Sequence, residues 1–242
     1  MDEQRPSGRA TPLKESLLLL LPWAALSPWV WGPSLLHNFA WPIWLAALLL
    51  PCCFIGCKLA FSAGFEACPF VDDLLLARKS SGRFWVSLRN LATVVILQLA
   101  MNKVVFFVAF GKLWVWMSGT LTGSRTGDVL VLIEGALTEE MIFRLFLMSA
   151  LIWLIERTAK YRGPASARKV FWLANSFQAL LFGIAHLSEG DTLTPWAPWY
   201  LRILAAPQTW GGVLLGYLFR YNGVETAIAA HAVGDILFVL LP

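Results

Sequence analysis

Two adjacent carboxylates, Glu139 and Glu140, sit in the middle of a run apolar enough to cross a membrane, Val129 to Ile155, and Arg144 follows on the same run. Ionisable side chains at that depth cost about 2.5–3.5 kcal/mol each on insertion scales, so they usually serve a function and have a partner. The chain has three histidines, and two of them also lie in apolar runs: His186, four after Phe182, and His231, four before Asp235. Carboxylates, imidazoles and a guanidinium converging inside a bilayer point to hydrolytic chemistry at membrane depth.

The spacing separates the two carboxylates. Successive residues of an α-helix point about 100° apart, while residues four apart share a face. Glu140 and Arg144 are therefore neighbours, with the acid on the N-terminal side, the better order for such a pair. Glu139 points elsewhere and is left without that arginine. One acid is then paired and ionised and the other is available to take a proton, which is how a site assigns a general base. The plainer reading of these three residues is a structural ion-pair cluster of a transporter or channel. A single histidine in an apolar helix is more often a hydrogen-bonded core residue, but two so placed, each in its own run, make that reading strained. Asp235, one turn after His231, can orient the imidazole and fix its tautomer. His37, at the edge of an apolar run, reads as interfacial.

Composition says what must hold these groups. Hydrophobic residues make up 58% of the 242 and charged residues 14%, with a mean hydropathy of +0.65. Soluble domains run at about 45–50% and about 25%, so the expectation is an all-α, polytopic transmembrane bundle. Apolar runs at 16–31, 38–57, within 84–110, and at 129–155, 170–187, 203–219 and 226–241 give about seven spans, with a range of about six to eight. Residues 1–15 form a polar head, 16–128 an N-terminal transmembrane region, and 129–242 the region carrying the charged groups. Arg78, Lys79, Arg83, Arg157, Lys160, Arg162, Arg168 and Lys169 collect on one side of these spans, against Lys112, Arg125 and Arg202 on the other. The positive-inside rule then puts the N-terminus in the cytosol. The first span reads as an uncleaved signal anchor.

Tryptophans such as Trp23, Trp153 and Trp172 lie near span ends and read as an interfacial belt. Gly212 and Gly216, with Gly211 beside them, form a small-xxx-small face for close helix packing. Four cysteines, Cys52, Cys53, Cys57 and Cys68, match no zinc spacing and read as small apolar residues or reduced thiols. No basic run is long enough to suggest nucleic acid.

Glu139-Glu140-x-x-x-Arg144, Phe182-x-x-x-His186 and His231-x-x-x-Asp235, in this order and on three separate runs, resemble the three-motif pattern of the CAAX-protease and bacteriocin-processing (CPBP, or Abi) family. That family includes the type II CAAX prenyl endopeptidases. The resemblance covers Val129 to Leu241 and implies an all-helical intramembrane peptidase. Glu139 resembles the family's activating glutamate, with His186, His231 and Asp235 completing the site. Position 235 is often Asn in the family. The implied partners are the lipid bilayer and a membrane-tethered peptide or protein. The implied location is a multi-pass position in a prokaryotic plasma membrane, or in the endoplasmic reticulum of a eukaryote.

The chemistry agrees with these roles. Peptide hydrolysis needs an activated water, a proton for the leaving amine and stabilisation of an oxyanion. Glu139 can activate the water and return the proton, while His186 and His231 can orient the water or stabilise the oxyanion. The alternative is Zn²⁺ held by Glu139, His186, His231 and Asp235, since two histidines and a carboxylate form a known catalytic zinc set; no cofactor is otherwise implied. Rival functions are a non-catalytic scaffold or immunity protein of the same fold, and a proton-coupled transporter relaying through Lys103, Glu134 and the glutamate pair. One geometric demand follows. On ideal helices Glu139 lies about 15 Å below the outer surface, His186 near that surface and His231 nearer the inner one. Convergence therefore requires tilted, kinked or longer helices.

Overall fold

The computed structural model describes residues 11–35, 40–77, 81–110, 125–158, 164–186 and 207–240. Among them all regular structure is helical: α1 (Pro12–Leu35), α2 (Ala40–Ser62), α3 (Pro69–Leu75), α4 (Ser81–Phe110), α5 (Arg125–Glu139), a π-helical segment (Glu140–Met148), α6 (Ser149–Thr158), α7 (Pro164–Ala185), α8 (Pro207–Asn222) and α9 (Val224–Leu240). The short helix after the second apolar run, α3, is opened by Pro69, whose missing N–H costs nothing at a helix start. Gly223, at φ +88°, is the single residue between α8 and α9, and a side chain there would run into the Pro69 ring. His37 lies outside the described residues.

The helix that carries Glu139 is longer than the apolar run that announces it. α5, the π segment and α6 follow one another without a break from Arg125 to Thr158, a length on the order of 50 Å against about 30 Å of hydrocarbon core. That extra length is what the unequal depths of Glu139, His186 and His231 require.

Two stretches, Leu45–Ser62 in α2 and Gly82–Val104 in α4, are long and apolar enough to cross a membrane. Among the described residues, the elements that carry the motifs fall short by that measure. The fourth run is divided by its π segment, and α8 and α9 have 16 and 17 residues. On α4 many apolar side chains face outward: Phe84, Trp85, Val86, Leu88, Ile96 and Leu97 are exposed, while Ser87 and Gln98 are buried together with Val94 and Val95. An apolar outside with polar groups turned inward suits helices surrounded by lipid, where small and polar residues hold neighbours together.

The α7–α8 contact shows that mode of packing. A Cβ on Gly212 would lie 3.1 Å from Ala179, and one on Gly216 would run into the Asn175 amide. The missing side chains let two amides of α7 reach the α8 backbone. Gln178 Nε2 donates to Gly212 O at 2.9 Å, and Asn175 Nδ2 to Val213 O at 3.0 Å. The expected glycine face thus packs as a contact surface and also serves as a row of acceptors. Gly56 of α2 does the same for the π segment: a Cβ there would meet Leu145 O at 2.5 Å. The π segment lies at the centre, packed by α2, α7, α8 and α9.

Candidate active site

Glu139 closes α5 and Glu140 opens the π segment, so the two carboxylates straddle a change of helix type. A π turn bonds i to i+5, and such insertions occur mostly as short bulges at functional sites. The α-helical geometry expected from Glu140 to Arg144 is therefore replaced by a wider turn, over which the pair still forms. Arg144 Nη1 lies 2.9 Å from Glu140 Oε1, and both side chains are 0% exposed. The contact is one of charge more than of aligned hydrogen bonding: none of the guanidinium nitrogens has a hydrogen-bond acceptor of good geometry among the described residues, and Glu140 Oε2 has no partner there. The other face of Arg144 rests on the Phe182 ring, 4.3 Å from its centroid, where the ring quadrupole attracts a cation.

Phe182 lies at the crossing of the three motifs. Its ring meets Phe143, His186 and His231 edge-on at 5.0, 4.6 and 6.1 Å between centroids. His186 follows the last residue of α7, and its Nδ1 lies 2.8 Å from Phe182 O. A carbonyl only accepts, so Nδ1 carries the proton and Nε2 is turned toward Glu139. His231 is fixed in the same sense from the other side. Its Nδ1 lies 2.8 Å from Glu140 Oε1, and a carboxylate held by Arg144 accepts, which leaves Nε2 as the atom that exchanges protons.

The Nε2 atoms of both imidazoles converge on one group. Glu139 Oε1 is 3.6 Å from His186 Nε2, and Glu139 Oε2 is 3.6 Å from His231 Nε2. Asp235 Oδ2 is 3.3 Å from the same His231 nitrogen. Separations of 3.6 Å exceed a direct hydrogen bond and suit an oxygen atom placed between the groups. Glu139, His186, His231 and Asp235 are thus together at one place, with Glu140 and Arg144 directly behind His231.

Imidazole and carboxylate donors suit Zn²⁺ chemically. However, the described His, Cys, Asp and Glu residues whose ligand atoms all lie within 4.8 Å of one another are Glu15, Cys57 and Cys68, in another part of the fold. The four residues around Glu139 do not form so tight a set.

Two supports of the site were not anticipated. Trp23, expected in an interfacial belt, is buried by the packing of α1 on α5, and its Nε1 donates to Glu134 Oε1 at 2.9 Å. Thr138 Oγ1 adds a contact to the same oxygen at 3.4 Å, so Glu134 is held from the residue next to Glu139. The second support is the pair Asn175 and Gln178, both fully buried on the α7 face that also carries Phe182. Their three-residue spacing in an apolar helix was legible, but their acceptors lie on another helix.

Residues 126–237 match the family model described as type II CAAX prenyl endopeptidase, Rce1-like. Among curated proteins and among solved structures, nothing matches the chain. The matched segment, just under half of the chain, starts in α5, ends within α9 and contains all six residues described above. Over residues 126–237 the chain is thus similar to the type II CAAX prenyl endopeptidase, Rce1-like, family.

Proposed function

We propose that this protein is an intramembrane endopeptidase in which Glu139 activates a water for attack on a peptide bond of a membrane-tethered substrate. A prenylated C-terminus is the substrate class that the family description favours. The observation that carries the reading is the placing of the two Glu139 oxygens opposite two imidazole nitrogens, each at 3.6 Å.

Glu139 takes a proton from the water as its oxygen attacks the carbonyl carbon. His186 Nε2, whose ring is held through Nδ1, orients that water. His231, protonated at Nε2, donates to the oxyanion that develops, and its ring is fixed by Glu140 at one nitrogen and steered by Asp235 at the other. As the C–N bond breaks, Glu139 passes its proton to the departing amine, leaving a carboxylate and an amine. Arg144 touches no substrate in this scheme. It holds the Glu140 carboxyl in place and, through it, the His231 ring.

Seven spans, a cytosolic N-terminus and a multi-pass location complete the reading. The outward apolar faces and the depth of the charged groups support them. The domain division places the chemistry in 129–242 and leaves 16–128 as surrounding helices.

The test is cleavage of a prenylated, membrane-embedded reporter by purified protein in liposomes. Glu139→Gln keeps shape and removes the base, so it should lose about 10²–10⁴-fold or more in rate with an unchanged melting temperature. Undiminished cleavage by that variant would move the assignment to a non-catalytic scaffold.

A further inference from the structure

The tightest group of metal-ligating atoms lies away from the motifs, at one end of the bundle. Glu15 is in the first turn of α1, Cys57 near the end of α2 and Cys68 immediately before α3. All three side chains are buried, and their ligand atoms lie within 4.8 Å of one another. The two sulfurs are 3.7 Å apart and unbonded. Two thiolates on a tetrahedral zinc, each about 2.3 Å from the ion, lie about 3.8 Å apart, so the sulfurs stand at the separation that a shared ion requires.

More acid surrounds them. Asp72, in the first turn of α3 and buried, hydrogen-bonds the Glu15 carboxyl. Glu225, at the start of α9, accepts the N–H groups of Phe70 and Val71 with one oxygen, at 3.0 and 2.9 Å. Its other oxygen is buried with no hydrogen-bond partner among the described residues. Arg83 pairs instead with Glu66 and Asp73, at 3.2 and 3.6 Å.

We propose that Glu15, Cys57 and Cys68, with Asp72 beside Glu15, form a structural Zn²⁺ site that fastens the N-terminal helices to the end of the bundle. The donor set is two thiolates and a carboxylate, for which zinc is the fitting divalent ion. The site joins α1, α2 and α3, which lie outside the matched segment, to the start of α9. Along α9, Glu225 precedes His231 by only about 9 Å. The backbone already closes there: Val224 N–H donates to Ala67 O at 2.8 Å.

The ligand spacing in sequence hides this site, because its members come from three elements and include no histidine. The test uses the full chain in detergent, purified under reducing conditions, stripped with a chelator and titrated with Co²⁺ as an optical probe. One equivalent should give a thiolate-to-cobalt charge-transfer band that Zn²⁺ displaces. Cys57→Ser and Cys68→Ser should each lose the band, Glu15→Gln should weaken binding, and Glu139→Gln should leave both unchanged. Circular dichroism checks that each variant is folded, and the zinc content of untreated wild-type protein gives a reading that needs no variant. Absence of the band, its survival in folded Cys57→Ser, or wild-type protein with neither bound zinc nor uptake of it would overturn the proposal. So would native protein whose Cys57 and Cys68 are joined as a disulfide.

Discussion

Removing one member of the Glu140–Arg144 pair should destabilise the bundle far more than removing both. Each side chain is 0% exposed, and Glu140 Oε1 is 2.9 Å from the guanidinium. In Glu140→Gln the guanidinium keeps its charge and the Phe182 face at 4.3 Å but loses the carboxylate it is paired with. In Arg144→Met the Glu140 carboxylate keeps only His231, 2.8 Å away. Breaking a fully buried pair from one side costs about 3–5 kcal/mol, because the remaining ion is uncompensated. The double variant removes both charges together, so most of that cost should disappear. We expect a coupling free energy of at least about 3 kcal/mol, at or above the top of the range for residues in contact. That stands well above the roughly 0.6 kcal/mol average for hydrogen bonds between membrane helices.

The assay is reversible unfolding of all four proteins in mixed micelles of increasing denaturing detergent, followed by circular dichroism. Single costs that add to within about 0.5 kcal/mol of the double variant would refute the reasoning. They would mean that each charge is compensated by something other than its neighbour. Cleavage should be lost in both singles and should stay low in the stable double variant, because His231 Nδ1 then faces a neutral amide in place of a carboxylate.

Two further outcomes follow from neighbouring contacts. Asp235→Asn can keep an oxygen toward His231 Nε2 while trading a charge-assisted bond for one about half as strong; cleavage should persist at a reduced rate and fall further in Asp235→Ala, and an inactive, folded Asn variant would show that the charge itself is needed. Gly56→Ala drives a Cβ to within 2.5 Å of Leu145 O, an overpacking worth about 1–3 kcal/mol, so the melting temperature should fall by about 2–4 °C for each of these. A wild-type melting curve would mean that α2 can move off the π segment freely.

The chemistry was legible in the sequence because charges in apolar runs have few explanations. Glu139, Glu140, Arg144, His186, His231 and Asp235 could be singled out one motif at a time, as could the all-helical class and the glycine face at Gly212 and Gly216. Each of those inferences needs only composition or spacing within one helix. Tertiary structure decided whatever joins two helices. The π turn after Glu139 depends on α2, α7, α8 and α9 packing around it, and hydrophobic spacing carries no mark of it. Trp23 became a core donor to Glu134 because α1 lies on α5, though its place near a span end suggested an interface. The tautomers of His186 and His231 follow from a carbonyl one turn back and a carboxylate ninety-one residues away. The convergence of Cys57, Cys68 and Glu15 follows from three chain segments meeting at one end of the bundle. Local periodicity tells which face of a helix is polar, but only packing tells what that face meets.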